Sequence, residues 1–131
     1  MSEPPPTIVA AAVIEADGRY LITRREKGHL EGLWEFPGGK LRPGETLPEC
    51  LRRELREELG VEVTVGEPIE TVTWRYPERT VILHFFRCRL AVGRVTPREG
   101  QAMAWVKPEE LERYPFPPAD ASLIARLRSP R

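Results

Sequence analysis

Four leucines, Leu47, Leu51, Leu55 and Leu59, recur at every fourth position of ETLPECLRRELREELG (45–60). That spacing lays one apolar stripe along an α-helix and commits the stripe to burial against a partner layer. Thr46 is placed to cap the helix with Glu49 three positions on, Pro48 is tolerated in the first turn, and Gly60 stands where a C-terminal cap ends it. On a wheel with Glu54 at zero, Glu57 falls at about −60°, Glu58 at about +40°, and the leucines run from about +20° to about +140°. The three glutamates therefore abut the buried stripe, and the outward positions belong mainly to Arg52, Arg53 and Arg56. A plain solvated face would pair Arg53 with Glu57 and do nothing more. Carboxylates crowded at the shoulder of a core repel one another, however, and Glu54 with Glu58 is an unfavourable i,i+4 pair. A hard divalent cation, Mg²⁺ or Mn²⁺ in its place, relieves that repulsion and keeps waters for phosphate ligands.

The segments on either side change period. TIVAAAVI (7–14) is a buried-strand run, Asp17-Gly18 a hairpin turn, and YLITR the returning strand. Residues 26–44 read as loop, punctuated by glycines and prolines. VEVTV, ETVTWRY, TVILHFFRCRL and AMAWV carry strand signals, with a turn at 77–79, and ADASLIARLRS (119–129) closes as a second amphipathic helix. The expected organisation is a flexible lead-in over 1–6 and one α+β domain over 7–131, a mixed sheet with helices packed against it.

Composition removes several classes of function. Twenty Lys and Arg balance twenty Asp and Glu, so a sequence-independent nucleic-acid or membrane-surface binder is not expected. An anionic ligand must then meet a local cation cluster or a metal. Lys40 and Arg25 are candidates for phosphate contacts. Two cysteines, Cys50 and Cys88, are too few and too far apart for a zinc site, and fit a reduced, cytoplasmic protein without a disulfide. The start, MSEPPPT, lacks the regions of a signal peptide, and no apolar run reaches a membrane span. Cys50 reads as a small apolar filler, Trp34 and Trp105 as core, and His29 and His84 as structural or exposed residues without a partner.

Read together, Gly39, Glu45, Arg53-Glu54-Leu55, Glu57-Glu58 and Gly60-Val61 fall at the spacing GX5EX7REUXEEXGU, U being aliphatic. Every specified position of this pattern, the Nudix box, is met, and the chain resembles the Nudix hydrolases. LWEFPGGK (33–40), REGQAMAWV (98–106) and FPPAD (116–120) are similar to segments of the MutT-type subgroup. The resemblance implies an α/β/α sandwich, a mixed sheet between helices bearing a loop-helix-loop motif. It implies Mg²⁺-dependent hydrolysis of a nucleoside diphosphate linked to another group, and here of a (d)NTP to (d)NMP and pyrophosphate, with a nucleotide as small-molecule partner and a monomer or homodimer as the assembly.

Carried over by position, the resemblance makes Glu54, Glu57 and Glu58 metal ligands and Glu99 a further acid at the metal site. Any of Glu57, Glu58 or Glu99 could serve as general base. Arg53 would orient the carboxylates, Glu45 would support them, and Gly38 and Gly39 would offer backbone contacts to metal or phosphate. MutT-type enzymes that favour oxidised guanine carry Asn where this chain has Asp120. An ionised carboxylate only accepts hydrogen bonds, which suits the amino group of cytosine or the N1–H and amino group of guanine. Asp120 could instead cap the last helix. Phe36 is a candidate base contact, with Phe116 and Trp74 as further stacking candidates. Within the same family, an ADP-ribose or dinucleotide hydrolase is the alternative enzyme, and a nucleotide-binding module without catalysis the alternative class.

Overall fold

The structure, a computed structural model, describes residues 4–129. The lead-in expected over 1–6 therefore falls in part outside the described residues, and 4–6 are exposed without regular structure. Seven strands form the sheet: β1 (Thr7–Ala16), β2 (Arg19–Arg24), β3 (Trp34–Glu35), β4 (Gly38–Lys40), β5 (Glu62–Arg75), β6 (Thr80–Val92) and β7 (Met103–Val106). Helices α1 (Leu47–Leu59) and α2 (Ala121–Arg128) pack on it, with short 3₁₀ turns at Pro108–Arg113 and Pro118–Asp120.

β1 is the hub. It runs parallel to β6, pairing Thr7 with Val81 through Ile14 with Cys88, and antiparallel to β4, pairing Val9 with Lys40 and Ala11 with Gly38. Its end pairs with β2 through a two-residue turn in which Asp17 and Gly18 both have positive φ, 52° and 74°, the type I′ geometry that matches strand twist. Side chains alternate across this strand. Ala10, Ala12 and Ile14 join Leu51, Leu55 and Leu59 of α1, whereas Ala11 and Val13 join Leu123, Ile124 and Leu127 of α2 and Leu111 of the first 3₁₀ turn. The two-sided burial explains why 7–14 is continuously apolar instead of alternating, and it makes the sheet the middle layer. Trp105 packs against the first cluster and Trp34 against the second, both half-buried.

Three sequence expectations need correction. Residues 26–44 are not all loop, because β3 pairs with β2 and β4 with β1. WE and GGK have little strand propensity of their own, and neighbouring backbone supplies the order. VEVTV and ETVTWRY are one strand, β5, whose register shifts between Val65 and Pro68 and between Pro68 and Glu70 absorb the intervening GEP. The last helix starts at Ala121, not 119, because Pro118 opens a 3₁₀ turn first.

Candidate active site

Helix α1 is fixed at both ends. Glu49 N–H donates to the Thr46 hydroxyl at 3.2 Å while Thr46 N–H donates to Glu49 Oε1 at 2.8 Å, a complete capping box. At the other end Gly60 takes a left-handed φ of 68°. The chain then returns to satisfy the last carbonyls: Thr96 N–H donates to Leu59 O at 3.0 Å, Arg98 N–H to Glu58 O at 2.9 Å, and Gln101 Nε2 to Glu58 O at 3.5 Å. Gln101 also accepts from Glu99 N–H at 3.0 Å. The orphan carbonyls of a helix end thus hold the 96–101 loop, which carries Glu99 next to Glu58.

Arg53 is the organiser of the acids. Its Nε and Nη2 donate to both oxygens of Glu45 at 2.6 and 2.9 Å, Nη2 also to Lys40 O at 3.1 Å, and Nη1 to Glu54 at 3.0 Å and Glu57 at 3.1 Å. Although the wheel puts it outward, Arg53 is drawn in to 18% exposure, and Glu57, at 46%, takes the outward place. A bidentate fork to a carboxylate across the loop–helix junction is the reason. Glu45 also accepts from Arg42 N–H at 2.9 Å. These bonds, Arg53's first, hold its pKa down at about 2 against an ordinary 4.5. A lowered native pKa stabilises the fold above the unfolded value, and that contribution is lost as pH falls from 4.5 towards 2. Glu45→Gln is therefore expected to lower Tm at pH 7, with the gap to wild type closing by pH 2 in paired thermal melts.

A cleft of about 550 Å³ opens beside α1, within the range of small-molecule sites. Glu54, Glu58, Gly38, Gly39 and Lys40 line it, together with Phe36, Ala119 and Asp120. A second hollow of about 380 Å³ adjoins it, lined by Glu58, Glu99, Gly38, Arg25 and Glu35. Burial foremost, then the charges of Glu54, Glu35 and Glu99, pushes Glu58 up to about 9. Burial likewise raises Glu54, against the pull of Arg53. Glu57 lines neither hollow; it faces Arg53 and, at 3.8 Å, Arg42.

The two glycines are required for space. A Cβ on Gly38 would collide with Ala10 O and stand 2.8 Å from Ala11 Cα, and one on Gly39 would overlap the Glu54 carboxylate. Neither has a positive φ, so close approach is what selects glycine here. Beneath them the Cys50 thiol donates to Gly39 O and Lys40 O at 3.6 and 3.5 Å, a weak bond that mere filler would not make.

The residues present fit a hard divalent cation. The donors are all oxygen, Glu58 is a carboxylate kept from ionising first by burial and then by its acidic neighbours, and the backbone at Gly38 and Gly39 lies open beside it. Among the described residues, no three His, Cys, Asp or Glu side chains are gathered into a ready-made cage.

Asp120, which also lines the cleft, is 5% exposed and lies at the N-terminus of α2 without capping it. Burial, then the charge of Glu35, raises its pKa to about 7. Phe36 stacks on Phe116 at 5.5 Å and meets Phe85 edge-on at 6.2 Å, so part of its surface is already taken by the core. Trp74 lies outside the cleft, 36% exposed.

Four cleft residues carry no sequence signal of their own. Glu35 accepts from Arg25 at 2.8 Å. His29, expected to lack a partner, meets Glu78 through Nδ1 at 3.2 Å and Tyr76 edge-on at 4.7 Å. Tyr76 and Arg79 come from the β5–β6 turn and line the same wall. His29 Nε2 and Arg79 Nε are buried without a hydrogen-bond partner among the described residues. His84 bonds Thr71 at 3.2 Å across β5 and β6, away from the cleft.

A mixed sheet between helices, with an acidic helix and a glycine loop facing one cleft, is the architecture the box demands. The profile of the NUDIX domain matches residues 9–126, and the chain belongs to that family. Among curated relatives it is 43% identical to a CTP pyrophosphohydrolase of Escherichia coli (strain K12), over 88% of this chain and 87% of that protein. It is 38% identical to an 8-oxo-dGTP diphosphatase of Haemophilus influenzae, over 91% and 89%. The crystal structure of a MutT protein from Methanosarcina mazei Go1 superposes with a TM-score of 0.86 at 29% identity, covering 97% of this chain and 96% of that one. The solution structure of the E. coli ORF135 protein gives 0.79 at 40% identity, over 91% and 86%. Among the described residues, no helix is long and apolar enough to cross a membrane.

Proposed function

We propose that this chain is a Mg²⁺-dependent nucleoside triphosphate pyrophosphohydrolase that clears oxidised or modified nucleotides. The observation that carries the reading is one cleft lined by the box carboxylates Glu54 and Glu58, the paired glycines and a buried acid, Asp120. Its volume of about 550 Å³ suits a nucleotide-sized ligand. Relatives named as CTP and 8-oxo-dGTP hydrolases support the same class. Water adds to a phosphorus, the bond bridging the α and β phosphates breaks, and monophosphate and pyrophosphate leave.

Glu54 and Glu58 from the helix, Glu57 from its outer edge, Glu99 from the docked loop and the Gly38 carbonyl would hold Mg²⁺, or Mn²⁺ in its place. A divalent cation supplies charge neutralisation and acidified water. Arg53 keeps Glu54 and Glu57 in orientation and locks Glu45 and the Lys40 backbone to the helix. Lys40 and Arg25 face the phosphate chain, with Gly39 leaving room for close approach. One of Glu57, Glu58 or Glu99 takes the proton of the attacking water. Asp120 reads the base edge beside Phe36.

Asp120 decides which base is preferred. Ionised, it accepts from the cytosine amino group or from guanine N1–H and its amino group; protonated, it also donates. The first experiment is product analysis with Mg²⁺ over CTP, dCTP, 5-methyl-dCTP, dGTP, 8-oxo-dGTP and ADP-ribose, for wild type and Asp120→Asn. We expect pyrophosphate and monophosphate from cytosine-type or 8-oxoguanine triphosphates, with the ranking altered in Asp120→Asn. Equal turnover of ADP-ribose would overturn the triphosphate reading, and an unaltered ranking the role of Asp120. Stability adds a second readout. Because the native pKa of about 7 exceeds the unfolded value, stability falls as pH rises from about 4 through 7. Asp120→Asn removes that loss, so its Tm should exceed wild type at pH 8 and equal it at pH 4.

A further inference from the structure

Strands β2 and β7 pair antiparallel from Tyr20 with Val106 to Thr23 with Met103, so the next pair in that register is Arg24 with Ala102. Two residues so opposed exchange both of their backbone bonds or neither. Arg24 N–H donates to Ala102 O at 2.9 Å. The chain then turns towards β3, and Arg25 N–H donates to Leu33 O at 2.9 Å. Ala102 N–H meets a side chain, the Glu26 carboxylate, at 3.1 Å across 76 positions of sequence. Arg24 Nη2 donates to the same oxygen of Glu26 at 3.3 Å. Glu26 thus stands in for a strand that has ended. What it secures is the loop between β6 and β7 that carries Glu99. The front of that loop is tied to the end of α1 through Thr96 and Arg98, and Gln101 joins Glu99 N–H to Glu58 O. Glu26 is the tie at the loop's other end, and it lines the same hollow as Glu58 and Glu99.

We propose that Glu26 is a positioning residue for Glu99: by holding Ala102 it fixes the downstream end of the loop, and with it the place of the Glu99 carboxylate beside Glu58. The inference rests on the reading of Glu99 as a metal ligand. A loop tied at one end pivots, and Gly100, next to Glu99, takes a φ of 71° that gives the backbone little stiffness of its own. Tied at both ends, the loop presents its carboxylate ready for the cation, as partners behind a metal ligand do. The role requires an acceptor oxygen, which a glutamine also offers. A Glu26 that itself faced the metal or the substrate would act through its negative charge.

The test compares wild type, Glu26→Ala, Glu26→Gln, Glu99→Gln and the double variant Glu26→Ala with Glu99→Gln. Glu26 is exposed, so its variants are expected to fold, and melting curves check this. Three quantities are read: amide exchange of Ala102 by NMR in the metal-free chain, Mn²⁺ affinity without nucleotide by EPR, and kcat with dCTP and 8-oxo-dGTP. In Glu26→Ala, exchange at Ala102 should quicken and Mn²⁺ affinity should fall about tenfold, the cost of losing a partner that orients a metal ligand. Turnover should fall with it. Glu26→Gln should recover both to within about threefold, the difference between a charged and a neutral acceptor. In the Glu99→Gln background, Glu26→Ala should change Mn²⁺ affinity by less than about twofold, since two changes acting through one group do not add. Equal losses in both backgrounds overturn the proposal, being the mark of a general structural role. So does a Glu26→Gln as defective as Glu26→Ala, which would show the charge at work, or an Ala102 exchange rate that Glu26→Ala leaves unchanged. Wild-type Mn²⁺ affinity and turnover in Glu99→Gln would instead overturn the metal role of Glu99, a result read from a variant in which Glu26 is untouched.

Discussion

Glu58→Gln is expected to lower kcat by about 10³-fold, the scale seen when one electrostatic contact to a transition state is removed. The same change should leave the metal-free protein as stable or more so. Both effects come from one cause. Burial and three nearby carboxylates, Glu54, Glu35 and Glu99, drive the pKa of Glu58 up to about 9. A raised acid pKa means that the native state keeps a proton the unfolded chain gives up. Its stability therefore declines as pH climbs from the ordinary carboxylate value towards 9. Glutamine has the same shape and no charge to suppress, so the melt at pH 8 should move up while turnover collapses. A variant that merely damaged the fold would lose both together. Unchanged turnover would show that this carboxylate touches neither metal nor reacting atoms, and steady-state kinetics beside a melting curve separates the cases.

The second large effect is expected at the paired glycines, where adjacent identical substitutions should fail differently. Gly39→Ala puts a methyl group where the Glu54 carboxylate lies. The side chain can swing away, so the fold survives, but a catalytic carboxylate displaced by about an ångström can cost on the order of 10²-fold in rate. In Gly38→Ala the methyl meets the Ala10 carbonyl and Ala11 Cα, which are backbone of the hub strand. No rotamer relieves that clash. Prising β4 from β1 should cost about 1–3 kcal/mol, the usual range for overpacking. Gly39→Ala should therefore retain its urea midpoint and lose kcat, while Gly38→Ala loses the midpoint first. The reverse pattern would mean that Glu54 is not held where the structure places it.

Residues whose role is set within their own segment were legible before any coordinates. The leucine stripe, the Thr46–Glu49 box, Gly60 and the Asp17-Gly18 turn all express local periodicity or local dihedral needs. The box acids shared that legibility because their spacing is itself the signal. What stayed hidden depends on partners far along the chain. Nothing in GGK says strand until β1 lies beside it, and nothing in WEF marks Glu35 as a wall of the cleft until Arg25 arrives from just beyond β2. His29 could not be matched with Glu78 and Tyr76 because the β5–β6 turn is distant in sequence. The wheel misplaced Arg53 for a related reason: it treats a helix as alone, whereas Glu45 reaches in from the preceding loop and outcompetes solvent for the guanidinium.

The parallel pairing of β1 with β6 sets a sequence of events as well as a shape. Thr7 cannot find Val81 until the chain between them, with the whole acidic helix, has been made. Such a distant contact is slow to form. On a ribosome, α1 would emerge with its glutamates and its leucine stripe before its sheet is complete, an amphipathic segment open to wrong partners. Closing that interval falls to β6, which joins β5 to the hub strand, brings the Tyr76–Arg79 turn to the cleft and completes the sheet on which the helix lies. Slow or stalled synthesis between the helix and β6 should thus be the most hazardous moment in the life of this chain.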